Sequence, residues 1–225
     1  GVPIAWGLSL QGAVSLGDYI YTSNPEFTQM IDNSATDVVH SRVNWKGMKV
    51  ESTPQTAINV GLNFRGPNNW FASVDFNYYD RLYLSMNPMY RTEYLANEIK
   101  RIYDWNNLET GRQKAYVVGI IDEIRQQEDL GNAYTLSASI GKNFRIKYKY
   151  TLGFSLQVNN ILNNQRIRTG GYEQMRLNKL SDPIIFPNAD GEMVITKKPT
   201  TYSRFDSKYF YMNGINYYLN IYFRF

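Results

Sequence analysis

Residues 148–159 read YKYTLGFSLQVN. Tyr148, Tyr150, Leu152, Phe154, Leu156 and Val158 alternate without exception with Lys149, Thr151, Gly153, Ser155, Gln157 and Asn159. A period of two sends successive side chains to opposite sides of an extended chain, so this stretch predicts a β-strand with one greasy and one wet face. The pattern recurs in both directions from it. Tyr134, Leu136, Ala138 and Ile140 alternate with Thr135, Ser137, Ser139 and Gly141, and Ile58, Val60, Leu62 and Phe64 with Asn59, Gly61, Asn63 and Arg65. Between Trp70 and Leu82, Trp70, Val74, Phe76, Tyr78 and Leu82 oppose Ser73, Asp75, Asn77 and Arg81. Near the start, Trp6, Leu8, Leu10, Val14 and Leu16 alternate with Ser9, Gln11 and Ser15. The last segment sets Tyr209, Tyr211, Asn213, Ile215, Tyr217, Leu219, Ile221, Phe223 and Phe225 against Lys208, Asn216, Asn220 and Arg224.

The wet faces carry Asn, Gln, Ser, Thr and Gly with scattered charges. That composition suits a water-filled barrel interior better than the Lys- and Glu-rich outside of a soluble sandwich. Aromatic residues lie near strand ends on the greasy faces (Trp70, Tyr78, Tyr148, Tyr150, Tyr209, Tyr217), where an interfacial girdle belongs. The connections alternate in length as membrane barrels require. Long stretches, roughly 22–56, 83–132 and 160–207, are separated by short reversals at Arg65-Gly66-Pro67-Asn68-Asn69 and around Lys142 to Lys147. With Phe225 at the periplasmic end, the short turns are periplasmic and the three long loops face outward. The expected fold is all-β, an antiparallel transmembrane β-barrel segment of about six strands.

Composition narrows the chemistry. Of 225 residues, 19 are Tyr, which fits surfaces that are apolar at one end and wet at the other. The mean hydropathy of −0.44 and the short aliphatic run from Val117 to Ile121 exclude a spanning helix, which needs about 20 apolar residues, but not a spanning strand. There is no Cys and one His, so neither a disulfide framework nor a multi-histidine metal site is expected. The net charge of +4 is dispersed, without the basic cluster of a nucleic-acid binder. No signal-peptide pattern opens the chain.

The segments GAVSLGDYIYT, STPQTAINVGLNFR, NWFASVDFNYYDRLYLSMNPMYRTEYL, YTLSASIGKNFRI, FSLQVNNILNNQRIRTGGYEQMR and SKYFYMNGINYYLNIYFRF resemble the C-terminal barrel strands of TonB-dependent outer-membrane receptors. VNNILNN and TGGYEQ carry most of the likeness. They resemble the branch with an N-terminal carboxypeptidase-regulatory-like domain, near the Sus-type nutrient importers. The resemblance implies that residues 1–225 are the C-terminal section of a 22-stranded barrel around a plug. It also implies import of a glycan, peptide or metal chelate at the outer membrane of a Gram-negative bacterium, without enzymatic activity or a cofactor. The implied partners are outer-membrane lipid, the plug and remaining strands, a TonB-type energising protein, the barrel-assembly machinery and a surface lipoprotein. The alternating Tyr217, Leu219, Ile221, Phe223 and Phe225 resemble the terminal signal read by that machinery. Plug and TonB box are not in this sequence, so the chain is expected to work as part of a larger receptor.

Few side chains suggest a site. His40, beside Val39 and Ser41, reads as a solvated loop residue, since no nucleophile elbow or metal motif surrounds it. Asp122, Glu123, Glu128 and Asp129 around Arg125 read as a loop turn or short helix rather than an acid–base pair. Asn188-Ala189-Asp190-Gly191-Glu192 reads as an Asp-Gly turn before a calcium loop. Gly170-Gly171 reads as a shaped turn. Tyr90, Tyr103, Trp105 and Tyr172 are the loop aromatics available to stack on a ligand. Two other classes compete: a stand-alone outer-membrane barrel acting as adhesin or surface enzyme, which needs at least eight strands, and a soluble β-sandwich binding module.

Overall fold

A computed structural model describes residues 1–30, 38–147, 149–175, 177–180, 184–187, 190–196 and 201–225. The first connection is a hairpin, β1 (Val2–Ala5) to β2 (Leu8–Leu16), followed by a separate ladder of β3 (Glu26–Met30) and β4 (Val38–Arg42). Strands β5 (Thr56–Arg65) and β6 (Trp70–Asp80) come next, then helices α1 (Glu93–Ile102) and α2 (Gly111–Arg125), then β7 (Ala133–Ile146) and β8 (Tyr150–Asn159). The short strands β9 (Arg168–Tyr172), β10 (Leu177–Leu180), β11 (Ile184–Pro187), β12 (Met193–Thr196), β13 (Thr201–Arg204) and β14 (Lys208–Tyr211) precede β15 (Asn216–Arg224).

Among the described residues one antiparallel sheet of seven strands dominates, in the order β1-β2-β5-β6-β7-β8-β15. The fold is therefore all-β in character, and the sheet is open, with β1 and β15 at its edges. The expectation of about six strands needs one correction. Val2-Pro3-Ile4-Ala5 adds a seventh, short and interrupted by Pro3, and Trp6 belongs to the reversal rather than to a strand. Trp6 (φ 52°) and Gly7 (φ 79°) form a two-residue turn whose paired positive φ values match the twist of a hairpin. Gly7 has no substitute, because a Cβ there would lie 2.0 Å from the Arg65 carbonyl oxygen.

Register carries the alternation from β2 through β5, β6 and β7 to β8. Leu10 faces Leu62, Leu62 faces Val74, Val74 faces Ala138 and Ala138 faces Val158, so the apolar side chains share one side. On that side Leu152, Leu156, Val60, Val74 and Phe76 are exposed, Phe154 and Val158 are half-buried, and among the described residues no second sheet or helix covers them. Aromatic contacts mark both ends of the band. Near the short turns Trp70 meets Phe154 edge-on at 6.1 Å, Phe144 stacks on Phe154 at 6.2 Å and Tyr150 on Phe223 at 5.7 Å. Near the long connections Phe76 stacks on Tyr134 at 6.5 Å. Tyr148 lies outside the described residues.

The opposite side is a hydrogen-bonded polar lattice. Asn59 donates to Asn77 at 2.9 Å, Ser73 and Ser139 are 2.9 Å apart, and Tyr222 donates to Asn143 at 2.6 Å. Glycines leave room for neighbouring side chains here. Phe71 lies over Gly141, and Tyr222 over Gly153, each ring within 2.3 Å of where a Cβ would stand.

The packed core lies elsewhere. Apart from Ala133, the buried apolar residues sit in the three long connections, with Tyr90, Leu95, Ala96, Ile99, Tyr103, Val117, Ile121 and Ile124 at the centre. The reading of these stretches as long loops is corrected accordingly, since they hold two helices and several short strands. Thr92 caps α1 by accepting from the Leu95 amide at 3.1 Å, and Thr110 with Gln113 forms a capping box on α2. Leu95 and Ile99 then meet Val117, Ile121 and Ile124, all at helical spacing. No helix of the described residues is long and apolar enough to cross a membrane.

Candidate functional site, a braced cap at one end of the sheet

A buried ion pair ties the second and third long connections together into a cap. Glu173, 3% exposed, follows the Gly170-Gly171-Tyr172 segment and points at Arg91, which is fully buried. Its Oε1 accepts from Arg91 Nη2 at 2.7 Å and from Arg204 Nη2 at 2.8 Å. Its Oε2 accepts from the Asn87 amide at 2.7 Å and from Arg91 Nη1. Both guanidinium groups also donate to the Gln126 carbonyl, at 3.0 and 2.9 Å. A charge removed from water is tolerated only when its hydrogen-bonding capacity is met, and here every oxygen of Glu173 has two donors. Gly171 makes the approach possible, since a Cβ there would lie 2.0 Å from the Lys208 carbonyl.

Other braces reach the first connection. The Asn44 amide donates to the Arg91 carbonyl at 2.8 Å, and Gln127 exchanges hydrogen bonds with the backbone of Lys49 at 2.8 and 2.6 Å. A second polar cluster centres on Glu128, which accepts from Ser207 at 2.9 Å and from the Tyr209 hydroxyl, with Arg168 at 3.6 Å. The Arg168 guanidinium lies 4.1 Å from the Tyr209 ring centroid. Burial and then the Glu128 carboxylate push the Tyr209 phenol above its ordinary pKa, so it stays a donor.

The VNNILNN element is a knot of asparagines where the β8–β15 ladder ends. Asn160, 4% exposed and at φ 50°, donates to the Asn213 carbonyl at 2.9 Å and the Asn164 carbonyl at 3.2 Å, and accepts from the Asn164 amide at 3.2 Å. Asn163 accepts from the Ile215 amide at 3.0 Å. Asn tolerates the left-handed region because its short amide bonds locally. Replacing Asn160 with Ala is expected to cost about 2–4 kcal/mol, the sum of three lost bonds and the φ penalty, read from thermal unfolding. Asn160→Gly should recover only the backbone part.

The four loop aromatics part company. Tyr90 and Tyr103 are 1% and 4% exposed and belong to the cap core, where burial raises the Tyr103 phenol to about 12. Neither offers a ring to a ligand. Trp105 is half-buried, with the ammonium groups of Lys100 and Lys114 at 5.2 and 5.9 Å from its ring. Tyr172 is 47% exposed and lies 6.2 Å from Phe210, which is 58% exposed. This ledge, together with exposed Tyr94, Phe205 and Tyr211, offers aromatic surface to a ligand. His40 is exposed on β4, its Nδ1 3.1 Å from Thr28 Oγ1. Asp122 and Glu123 end α2, while Glu128 and Asp129 follow it. Asn188 and Ala189 lie outside the described residues; Asp190 is exposed, and Gly191 has the positive φ of a turn. No group of three His, Cys, Asp or Glu side chains among the described residues is placed to hold a metal.

Arg91, Arg204 and Phe210 were not legible as site residues in the sequence, and Glu173 was legible only as part of a shaped turn. No protein-family model, curated protein or solved structure matches the chain.

Proposed function

We propose that the chain is part of a TonB-dependent outer-membrane receptor, a non-enzymatic importer in which the sheet is barrel wall and the cap is the outward, ligand-meeting surface. The observation that carries the reading is the pairing of a two-faced sheet, apolar on an uncovered side and hydrogen-bonded on the other, with a packed core displaced into the long connections. A soluble sandwich buries the inner faces of its sheets against each other, whereas here the greasy side is uncovered among the described residues and carries aromatic contacts at its ends, which supports lipid contact. The stand-alone barrel is less favoured. The strands inside the connections pair among themselves rather than with the edges β1 and β15, and unpaired backbone at such edges costs several kcal/mol per group in lipid. Further strands from the rest of a receptor would satisfy them.

The cap suits capture by ring stacking at Tyr172 and Phe210, for a glycan, peptide or metal chelate. Lipid, the plug, the assembly machinery, a surface lipoprotein and a TonB-type protein are the partners this role requires. Flotation decides the point. Expressed in a Gram-negative host, the protein should rise with outer-membrane vesicles, resist carbonate extraction and need detergent for release. Recovery as a detergent-free soluble monomer defeats the reading.

A further inference from the structure

Charge is distributed unevenly between the two ends of the sheet. At the short-turn end, over residues 1–8, 63–72, 140–153 and 222–225, the charged side chains are Arg65, Lys142, Arg145, Lys147, Lys149 and Arg224, six basic and no acidic. The chain's net +4 thus divides into +6 at this end and −2 elsewhere. Register separates the six. Arg145 and Arg224 both face Thr151, and Arg65 faces Phe71, which places these three on the polar side. Lys142 faces Trp70 on one neighbour and Phe154 on the other, which places it alone among charged residues inside the lower aromatic girdle.

Its surroundings are built for a cation that still needs a counter-ion. The Lys142 ammonium lies 4.8 Å from the Trp70 ring centroid and 4.9 Å from that of Phe144. Lys149, in the adjoining reversal, lies 5.4 Å from the Tyr150 ring. Among the described residues neither ammonium is in ion-pair contact with a carboxylate. Ring quadrupoles orient an ammonium but leave its charge unneutralised, and beside hydrocarbon that charge is costly unless it snorkels to an anion at the interface.

We propose that Lys142 and Lys149 clamp anionic phospholipid headgroups in the leaflet at the short-turn end, with Trp70, Phe144 and Phe154 as the apolar floor beneath the glycerol and upper acyl carbons of the lipid at Lys142. This rests on the membrane reading above. Charge complementarity selects the occupant: the two lysines beside the aromatic rings attract anionic lipid, each contributing about fivefold in affinity, while the three arginines face the polar side, away from lipid.

Native mass spectrometry of the full-length protein in detergent, titrated with phosphatidylglycerol, tests it. Lys142→Met and Lys149→Met keep the side-chain stems and remove the charges. Each is expected to weaken lipid retention about fivefold, and the pair about 25-fold. A variant with Arg65, Arg145 and Arg224 all changed to Gln should retain the lipid as wild type does. Undiminished binding by the double lysine variant overturns the proposal, as does loss of binding in the arginine variant or displacement of the lipid by equimolar inorganic phosphate. Failure of the wild-type protein to float with membranes would instead remove the receptor reading, whereas flotation with lysine-independent lipid binding removes only this clamp.

Discussion

Leu156→Arg is expected to destabilise the membrane-inserted protein by about 2–4 kcal/mol, while Gln157→Arg, one residue along, changes stability by less than about 1 kcal/mol. Leu156 sits mid-strand between Ile140 and Leu219 on the apolar side, and Gln157 points to the other side, where it donates to Asn159 at 2.9 Å. Only a hydrocarbon neighbour makes so large a difference between adjacent positions. Leu156 is 36% exposed, so in a water-facing sheet an arginine there would shift stability by a few tenths of a kcal/mol. Urea unfolding in phospholipid vesicles supplies the comparison, and equal effects at the two positions would remove lipid from the apolar face.

Glu173→Gln should loosen the cap without disturbing the sheet. Removing one member of a buried pair leaves its partner charged and uncompensated, a cost of about 3–5 kcal/mol. Arg91, with no exposed surface, cannot turn to water. Hydrogen exchange should therefore rise in α1 and α2, and proteases should cut within residues 81–132 and 160–215, while amides of β5 to β8 keep their protection. Exchanging the pair together, Arg91→Met with Glu173→Met, should restore much of the loss, because an apolar pair leaves no buried charge. Unchanged protection in Glu173→Gln would show that the pair does not hold the cap.

The strands were readable because the period-two signal needs only neighbours in sequence, and from Ile58 to Val158 it runs nearly unbroken within each strand. What the period could not supply was β1, whose four residues contain a proline and no polar alternation. The helices were anticipated only as a loop turn or short helix around Arg125, for a different reason. Polarity and length marked residues 83–132 as loop, although the Thr110 to Gln113 capping box and the spacing of Val117, Ile121 and Ile124 were present. Tyr90 and Tyr103 looked like surface aromatics until the cap was seen to possess a core of its own. Glu173 was readable only as part of the TGGYEQ turn and not as a buried anchor, since its partners stand 82 and 31 residues away and nothing local distinguishes it from an exposed glutamate.

The helical hairpin also bears on the order of events during folding. Its contacts join residues close along the chain, so it can form on a microsecond timescale, well before distant strands find their register. A segment that finishes early hides its own greasy groups while the wall is still unassembled. Kinetic partitioning toward aggregation would then depend on the wall-forming segments alone.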